Sequence, residues 1–370
     1  MIVLFGASGY TGGRVAEAMV RRGLRPVLAG RHRDRLASLA QRLGNPVPLD
    51  VVRADAGDLV SVRALVGRGD VLVSTVGPFV RLGEPALRAA LDAGAIYLDS
   101  TGEAPFIRRV FEEFSLPAQR SGASLITAFG HDFVPGNLAG ALALQRSAAR
   151  VHRLEVRYLI TGADRARVIS RGTLGSALGL LTEQSFTWRD GIQPAPTAAG
   201  IRTVSIGGLE GTAMAVGATE HYALPRLAGP EGLPEVDVYF GRVGSARRLA
   251  RLYYRLIPAL LSVPGARSLA RGIGELALRW VAEAPDPVAL AQVRSHVAGT
   301  AFDASDAELA QVRLVSGDPY QLTADLLAWG AQRAAEHGVS GPGALGPVEA
   351  FGLDALEAGA LEAGLRHWAS

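Results

Sequence analysis

The chain has 370 residues, of which 48% are hydrophobic and 20% charged, so it has enough material for buried cores and enough length for two domains. Its formal charge of +3 is small for this length, which excludes the concentrated basic surface of a nucleic-acid-binding protein. The sequence contains no cysteine and no lysine. These absences exclude disulfides, thiolate metal sites, thiol nucleophiles, lysine Schiff bases and the Tyr-x-x-x-Lys proton relay.

The first residues do not predict export. Residues 1–5 form a short apolar run that ends at a glycine, whereas a signal peptide has a charged start and a longer apolar segment. No stretch approaches the ~18 uninterrupted apolar residues of a membrane-spanning helix. We therefore expect a cytoplasmic protein, with a peripheral membrane contact through residues 246–281 as the variant considered below.

Short apolar strands alternate with helices through the first part of the chain. The predicted strands are 2–5, 26–29, 47–52, 71–75, 95–98 and 124–127, and the predicted helices are 10–22, 33–43, 61–66, 85–93 and 106–114. This alternation indicates βαβ units and a parallel sheet covered on both faces. Residues 1–130 are therefore predicted to form a Rossmann-like, doubly wound α/β domain.

The rhythm changes after about residue 130. Extended segments are predicted at 151–160, 212–216, 236–240, 293–302 and 309–315, and the last two flank the turn sequence 303–306. Residues 131–344 are therefore predicted to form an α+β domain on a mixed, largely antiparallel sheet. Helices are predicted at 321–336 and 347–368, and we expect those at about 345–370 to pack back onto the first domain.

The motif Gly6-x-x-Gly9-x-x-Gly12 follows the first strand and opens the first helix. Glycines there permit a tight turn and let the backbone approach a pyrophosphate at the helix N-terminus. An ordinary strand-to-helix turn is the alternative interpretation. We predict a dinucleotide site, and the residues assigned to it here are Gly6, Ser8, Gly9, Tyr10, Thr11 and Gly12.

The end of the second strand distinguishes the two dinucleotides. NAD enzymes usually place an acidic residue there for the ribose 2′-hydroxyl, but this chain has Arg31. Arginine can pair a 2′-phosphate bidentately. The alternative, in which Arg31 and Arg33 are merely solvated, places two cations at a helix N-terminus, where the helix dipole opposes them. We therefore predict NADP as the cofactor.

Two further strand ends complete the predicted cofactor site. Asp55, after the third strand, either caps the adenine pocket or serves as a helix N-cap. The fourth strand ends near Thr75, Gly77, Pro78 and Phe79, where a doubly wound sheet holds the nicotinamide half of a dinucleotide. We assign the first three to the cofactor and Phe79 to the substrate pocket.

Several motifs together resemble the saccharopine dehydrogenase-like oxidoreductases. They are the glycine loop, Ala29-Gly30-Arg31, Val76-Gly-Pro-Phe79, Tyr97-Leu-Asp-Ser-Thr-Gly-Glu103, Gly130-His-Asp-Phe-Val-Pro-Gly136, Ser170-Arg-Gly-Thr173 and Gly317-Asp-Pro-Tyr320. They span nearly the whole chain and are most similar to the bacterial branch that includes trans-acting enoyl reductases. The resemblance implies an NADP-binding Rossmann domain, a second domain that mediates homodimer formation and a C-terminal helical return. Saccharopine itself is an improbable substrate, because saccharopine-forming enzymes use a lysine that this chain lacks.

The predicted chemistry is hydride transfer without covalent or metal help, because no metal-ligand motif is present. Proton donors are expected where the fifth and sixth strands end. The catalytic candidates are His131, Asp132 and Tyr97, and the substrate-pocket candidates besides Phe79 are Asp99, Ser100, Glu103, Thr173 and His221. The alternatives are structural: Asp132 and Glu103 as charges at helix starts and His131 as a loop histidine with satisfied hydrogen bonds.

Residues 246–281 combine arginines on one helical face with leucines on the other. Such a helix can lie on a membrane surface or line a groove for a lipid. The alternative is a helix packed on its own domain or in a dimer interface, with its arginines in solvent.

The sequence therefore predicts an NADP-dependent oxidoreductase that reduces a C=C or C=N bond of a hydrophobic small molecule. The alternative is a non-catalytic NADP-binding redox sensor or scaffold.

Overall fold

The computed structural model describes residues 1–44, 47–162, 168, 185–195, 201–229, 232–243 and 284–368. The chain divides into two units. Unit 1 comprises Met1–Gly102, Phe106–Val134 and Pro319–Gly364, and unit 2 comprises Glu103–Pro105, Pro135–Asp318 and Leu365–Ser370. The predicted second domain, 131–344, therefore differs from unit 2 chiefly in the helix Pro319–His337, which lies in unit 1.

Sixteen strands are assigned in the described parts of the chain. They are β1 (Ile2–Phe5), β2 (Val27–Gly30), β3 (Val51–Arg53), β4 (Val71–Ser74), β5 (Ile96–Asp99), β6 (Ser124–Ile126), β7 (Arg153–Thr161), β8 (Ser185–Arg189), β9 (Ile192–Ala195), β10 (Ile201–Ile206), β11 (Leu209–Ala215), β12 (Glu235–Val243), β13 (Arg294–Phe302), β14 (Glu308–Ser316), β15 (Gly343–Ala344) and β16 (Arg366–His367).

The α-helices of the same residues are α1 (Tyr10–Arg21), α2 (Arg33–Leu43), α3 (Leu59–Arg63), α4 (Phe79–Leu82), α5 (Glu84–Ala93), α6 (Ala104–Arg109), α7 (Ser115–Ser121), α8 (Val134–Arg146), α9 (Glu220–Leu227), α10 (Pro287–Ala291), α11 (Pro319–His337), α12 (Pro347–Phe351) and α13 (Leu353–Glu362). A π-helical turn, Val110–Phe114, separates α6 from α7.

Unit 1 is built on a parallel sheet with the strand order β15-β6-β5-β4-β1-β2-β3. Its central strands are apolar and buried on both faces; Val71, Leu72 and Val73 of β4 have no exposed surface. The order reverses between β1 and β4, as in doubly wound dinucleotide-binding sheets, and such a reversal opens a crevice at the carboxyl edge of the strands. The predicted Rossmann-like sheet is confirmed.

Unit 2 contains a nine-stranded sheet, in which β7 and β12 are parallel and the other pairings are antiparallel. The predicted mixed, largely antiparallel sheet is therefore confirmed. The predicted hairpin joins β13 to β14, and the Asp303 carboxylate stabilises its turn by accepting from the Ser305 and Ala307 N–H groups at 2.8 and 3.0 Å.

Other expectations were wrong or fall outside the described residues. The predicted helix over 347–368 is two helices separated by Gly352, and the second ends at Glu362, because Gly364 takes a positive φ of 104° and Arg366–His367 pair with β14 instead. Strands β8, β9 and β10 were not predicted. Thr173 and residues 246–281 lie outside the described part of the chain. Within the described residues, no helix is both long and apolar enough to cross a membrane.

The close packing of α1 on β1 depends on Gly12. A Cβ at this position would lie 2.8 Å from the Gly6 carbonyl carbon and 2.9 Å from Ala7 Cα, and it would overlap the Gly6 carbonyl oxygen. These neighbours are backbone atoms of the turn itself and cannot move aside independently. At Gly13, the next residue, a Cβ would meet only the Ala7 oxygen, at 3.8 Å.

We expect Gly12→Ala to reduce the free energy of unfolding by about 1–3 kcal/mol, because overpacking forces the turn from the helix. Gly13→Ala is the matched control. It should leave stability unchanged or raise it by up to about 1 kcal/mol, because alanine favours the helix. Urea titrations of both variants measure the difference, and equal stabilities would contradict this account of Gly12.

Candidate active site

The loops at the carboxyl edge of the unit 1 sheet follow one another in the order of the strands. From one side to the other they come after β3, β2, β1, β4, β5 and β6. Parallel strands lie about 4.8 Å apart, so the loop after β2 is about 19 Å from the loop after β6. The edge therefore offers an extended ligand one continuous row of loops.

The glycine turn after β1 is shaped for close approach to its backbone. Gly6 has a φ of +93°, a conformation that favours glycine, and its N–H donates to the Ala29 carbonyl oxygen at 2.9 Å. Gly9 precedes α1 and closes the turn by donating to the Gly6 carbonyl oxygen at 3.0 Å. The turn therefore presents bare backbone at the start of a helix.

The first turn of α1 has the donors that an anion requires. No side chain caps this helix, and its first turn has no acidic residue. The partly exposed hydroxyls of Ser8 and Thr11 make no hydrogen bond to protein atoms in the described residues. The free N–H groups and the two hydroxyls suit a pyrophosphate at the positive end of the helix dipole.

Tyr10 connects this turn to the C-terminal part of unit 1. Its ring meets the Tyr320 ring edge-on, with 5.2 Å between the ring centroids, and the Arg14 guanidinium lies 5.1 Å from the Tyr10 centroid. The tyrosine predicted as a cofactor contact is thus packed at its side by α11.

The loop after β2 presents an unopposed cation. Arg31 is exposed, and no ion pair among the described residues includes it. Some other exposed arginines of unit 1 are paired, as Arg21 is with Asp325 at 2.7 Å and Arg42 with Glu17 at 2.9 Å, whereas Arg33 and Arg35 on α2 are, like Arg31, in no ion pair among the described residues. Gly30, the residue before Arg31, pairs with Arg53 of the neighbouring strand β3. An exposed arginine without a protein partner at this position is what a 2′-phosphate would neutralise.

A cavity of about 310 Å³ opens at the end of β3, and its lining residues are Arg53, Ala54, Asp55, Gly57, Asp58 and Ser61. Asp55 is not the helix N-cap considered above, because Asp58 caps α3 by accepting from the Val60 and Ser61 N–H groups. The Asp55 carboxylate accepts instead from the Gly57 N–H at 2.9 Å. Its predicted place beside an adenine ring agrees with its position in this cavity wall and stays a prediction.

Beyond β4, Thr75 closes the glycine turn from the other side. Its hydroxyl lies 3.3 Å from the carbonyl oxygens of Phe5 and Gly6. A cis peptide bond links Gly77 to Pro78. Phe79 follows and is 5% exposed, with its ring 5.6 Å from that of Phe106. Thr75 therefore lies directly beside the glycine turn, and Gly77 and Pro78 lie in the loop that follows β4.

Asp99, at the end of β5, joins the loops of β5 and β6. Its carboxylate accepts from the Thr101 and Ala128 N–H groups, each at 2.9 Å, and from the Thr127 hydroxyl at 2.7 Å. Asp99 has no exposed surface, and burial raises the pKa of its carboxyl to about 6. The three hydrogen bonds act in the opposite direction and lower this pKa. We therefore assign it a structural task at the site rather than the direct substrate contact that the sequence predicted.

The loop after β6 is conformationally strained at both ends. Ala128 and Phe133 adopt positive φ angles of 58° and 87°, which non-glycine residues rarely do. Such strain is concentrated in functional sites, where the surrounding contacts have to maintain it. Between Gly130 and Phe133 this loop carries two residues, His131 and Asp132.

His131 and Asp132 form a hydrogen-bonded pair, with 2.9 Å between Nδ1 and the carboxylate. The His131 side chain is 5% exposed and that of Asp132 44%. An ionised carboxylate can only accept, so the pair places the imidazole proton on Nδ1. The Asp132 carboxylate also approaches the β5 loop, since a Cβ on Gly102 would lie 2.9 Å from it.

Thr323, a residue that the motifs did not indicate, fixes the same loop from α11. Its hydroxyl accepts from the His131 N–H at 2.9 Å and donates to the Pro319 carbonyl oxygen at 2.8 Å. Gly130 allows this approach, because a Cβ there would lie 2.8 Å from the Thr323 methyl carbon. The interaction joins residues that are 192 positions apart, so no local pattern could predict it.

The remaining candidates at the β5 end are more deeply enclosed. Tyr97 has no exposed surface and its hydroxyl makes no well-formed hydrogen bond, although Asp99 is close enough to act on it electrostatically. Burial, helped by Asp99, raises the pKa of Tyr97 well above its ordinary range. Ser100 is half-buried. Glu103 is 3% exposed and belongs to a segment of unit 2, directly before α6. The structure therefore brings His131 and Asp132 together but encloses Tyr97.

His221 belongs to unit 2 and is 1% exposed. Its Nδ1 lies 3.1 Å from the Ala218 N–H, and burial lowers its pKa to about 4, so the ring is neutral near pH 7. The neighbouring cavity has a volume of about 20 Å³, enough for one water molecule. The place of His221 in a substrate pocket stays a prediction.

The sequence was compared with known proteins. Residues 2–123 match the family model of the saccharopine dehydrogenase NADP binding domain. A trans-acting enoyl reductase of Mycobacterium tuberculosis is 37% identical over 140 residues, and one of Mycobacterium leprae is 38% identical over 140 residues. Each match covers 37% of this chain and 34% of the relative, so the chain aligns with about a third of these proteins.

Two solved structures share the fold over nearly the whole chain. Saccharopine dehydrogenase (L-Glu forming) from Saccharomyces cerevisiae superposes with a TM-score of 0.60 at 13% identity, covering 100% of this chain and 99% of the other. Homospermidine synthase from Legionella pneumophila gives 0.60 at 10% identity, with 99% and 91% covered. The N-terminal third of the chain thus matches an NADP-binding domain of the saccharopine dehydrogenase type, and the chain shares its fold with saccharopine dehydrogenase.

Replacing Asp99 with asparagine tests the buried carboxyl. Asparagine can accept from the same two N–H groups and donate to the Thr127 hydroxyl, so we expect Asp99→Asn to fold. The folded protein binds the Asp99 proton more tightly than the unfolded chain, since the pKa rises from 3.8 to about 6. The resulting stabilisation is complete below about pH 4 and is lost as the pH rises through about 6, amounting to about 3 kcal/mol.

The measurement is the difference in free energy of unfolding between the native protein and Asp99→Asn at several pH values. The difference should shift in favour of the native protein by about 2 kcal/mol between pH 7 and pH 4. Other titrating groups cancel in this comparison. A difference that does not change with pH would contradict a protonated Asp99.

Proposed function

We propose that this protein is an NADPH-dependent reductase that acts on a C=C bond conjugated to a carbonyl group in a hydrophobic small molecule. The observation that carries the proposal is the His131–Asp132 pair, held at 2.9 Å on a strained loop at the same sheet edge as the NADP-binding turn. The bound cofactor supplies a hydride. The protein then has to provide a proton and to stabilise the developing enolate oxygen.

The cofactor's phosphates fit the first half of the sheet edge. The glycine turn and the Ser8 and Thr11 hydroxyls bind the pyrophosphate, and Arg31 binds the 2′-phosphate. The cavity beside Asp55 receives the adenine ring. In this proposal the nicotinamide end would lie toward β4 and β5, beside Thr75 and the loop that begins at Gly77.

His131 delivers the proton in this proposal. The Asp132 carboxylate holds the ring through Nδ1, so Nε2 is the atom that exchanges a proton with the substrate carbon. As in other histidine–carboxylate pairs, Asp132 stabilises the charged imidazolium between turnovers. Phe79, with its ring packed on Phe106, contributes apolar surface to the substrate pocket.

The reaction class follows from what the chain lacks and what it resembles. Without cysteine or lysine, the chain has no thiol nucleophile and no Tyr-x-x-x-Lys relay, so hydride transfer with a histidine donor is the chemistry its side chains support. The mycobacterial relatives, named trans-acting enoyl reductases, favour a C=C bond over a C=N bond. A homodimer and a peripheral lipid contact stay predictions.

The direct test is NADPH oxidation with enoyl thioesters of increasing chain length, alongside polar amino-acid imines. We expect oxidation with the enoyl compounds, and products formed in D2O should carry solvent deuterium on the carbon next to the carbonyl. Turnover confined to polar imines would exclude the hydrophobic enoyl substrate. NADPH binding without any oxidation would favour the redox sensor or scaffold.

We expect Arg31→Ala to raise the Kd for NADPH about ten- to a hundred-fold, because a charge-assisted contact to the 2′-phosphate is lost. The Kd for NADH should not change, since NADH lacks this phosphate. Arg42→Ala is the matched control, because Arg42 is an exposed arginine of the following helix, α2, and is paired with Glu17. Fluorescence titrations of the native protein and the two variants with each cofactor give six constants, and an equal loss for both cofactors in Arg31→Ala would refute the assignment.

Replacing His131 with glutamine should lower kcat about 10²–10⁴-fold while the Kd for NADPH stays within a factor of about two, because general acid catalysis is lost and cofactor binding is not. His337→Gln, on the exposed end of α11, serves as the control and should retain full activity. If His131→Gln keeps native kcat, the proton comes from another group.

A further inference from the structure

The histidine loop is the loop after β6, residues 128–133. Thr323 holds its backbone at His131. The distance from the His131 N–H to the Thr323 hydroxyl oxygen is 2.9 Å. The same hydroxyl donates to the Pro319 carbonyl oxygen at 2.8 Å, so its proton is committed to its own helix. Its lone pairs are therefore left to accept the His131 N–H.

The loop cannot take its conformation from local preference alone. Positive φ angles at Ala128 and Phe133 are unfavourable for residues other than glycine, and contacts with the rest of the fold have to offset their cost. At the start of the loop, Asp99 accepts from the Ala128 N–H at 2.9 Å. In the middle of the loop, the Thr323 hydroxyl accepts from the N–H of His131, the proposed proton donor.

Helix α11 is a rigid support for this contact. It has 19 residues, and the Arg21–Asp325 ion pair at 2.7 Å and the Tyr10–Tyr320 ring contact at 5.2 Å fix its first turns to α1. Further along α11, the Trp329 ring stacks on that of Phe129, with 6.3 Å between the centroids. The helix therefore contacts both the start of the glycine-turn helix and the start of the histidine loop.

We propose that Thr323 is a positioning residue for His131, and that its hydroxyl sets the orientation of the imidazole for proton transfer. The inference rests on the proposed role of His131 as proton donor. Thr323 itself does not contact the reacting atoms in this proposal. It acts through the His131 backbone, and the motif that ends at Tyr320 provides the helix start from which it reaches the loop.

The variants separate the hydroxyl from the shape of the side chain. Thr323→Ser keeps the hydroxyl, Thr323→Val keeps the shape without the acceptor, and Thr323→Ala removes both without adding bulk. Ser147→Ala is the control for losing a hydroxyl that only bonds back along its own helix, since the Ser147 hydroxyl donates to the Ala143 carbonyl oxygen at 2.8 Å.

Two measurements are made on the full-length protein. The first is kcat and KM with NADPH and the best enoyl substrate. The second is the ¹⁵N NMR spectrum of the histidine rings, with the His131 signals assigned by their absence in His131→Gln. The spectrum reports ring orientation and tautomer whether or not a substrate is known.

We expect Thr323→Val and Thr323→Ala to lower kcat about ten- to a hundred-fold, as a misplaced catalytic group does, with the KM for NADPH within about twofold of native. Thr323→Ser and Ser147→Ala should retain nearly native kcat. The His131 Nδ1 and Nε2 signals should shift in the valine and alanine variants toward those of Asp132→Asn, and stay native in the serine variant.

Native kcat in Thr323→Val, or an equal loss in Thr323→Val and Thr323→Ser, would overturn the inference. If Thr323→Val does not fold, the alanine and serine variants decide by the same criteria. If the native protein oxidises no NADPH with any substrate, the proposed function fails. The ring spectra then decide alone, and unchanged His131 signals in Thr323→Val would reject a positioning role.

Discussion

One buried carboxylate holds together the half of the sheet edge at which we place the chemistry. Asp99 accepts three hydrogen bonds, from Thr101, Thr127 and Ala128, and so joins the loops that follow β5 and β6. Because it has no contact with solvent, its charge is costly and its pKa rises to about 6. The position of His131 and Asp132 depends on this joint, since the loop that carries them begins at Ala128 with a positive φ angle.

The two halves of the sheet edge follow different physical rules. On the glycine-turn side, small residues and uncapped N–H groups leave backbone open to an anion, and Arg31 has no protein carboxylate to neutralise it. On the other side, the polar groups are almost all satisfied by one another, and the strain of the His131 loop is offset by hydrogen bonds. An open half suits a ligand that brings its own charge, whereas a closed half suits a group that has to stay in one orientation.

The sequence predicted best what local chemistry determines. Apolar runs of four residues separated by helices fixed the parallel sheet, and Gly6, Gly9 and Gly12 fixed the turn, because each signal lies within a few neighbouring positions. Strands β8, β9 and β10 were missed because their polar residues interrupt the apolar runs that indicate strands, although β8–β9 and β10–β11 are hairpins with two-residue turns. Thr323 was missed because its partner His131 lies 192 positions away along the chain, and the burial of Tyr97 follows from tertiary packing that its motif does not encode.

The contact between Thr323 and His131 also has a consequence for biosynthesis. The strands and loops of the cofactor turn are complete once residue 134 has been translated, whereas the anchor of the histidine loop arrives only with α11, which ends at His337. At about 5–20 residues per second, the ribosome needs roughly 10–40 s to make the intervening segment. During that interval a nascent chain carries the residues of the glycine turn but not the helix that anchors the loop of His131, so the two halves of the sheet edge are completed at different times in synthesis.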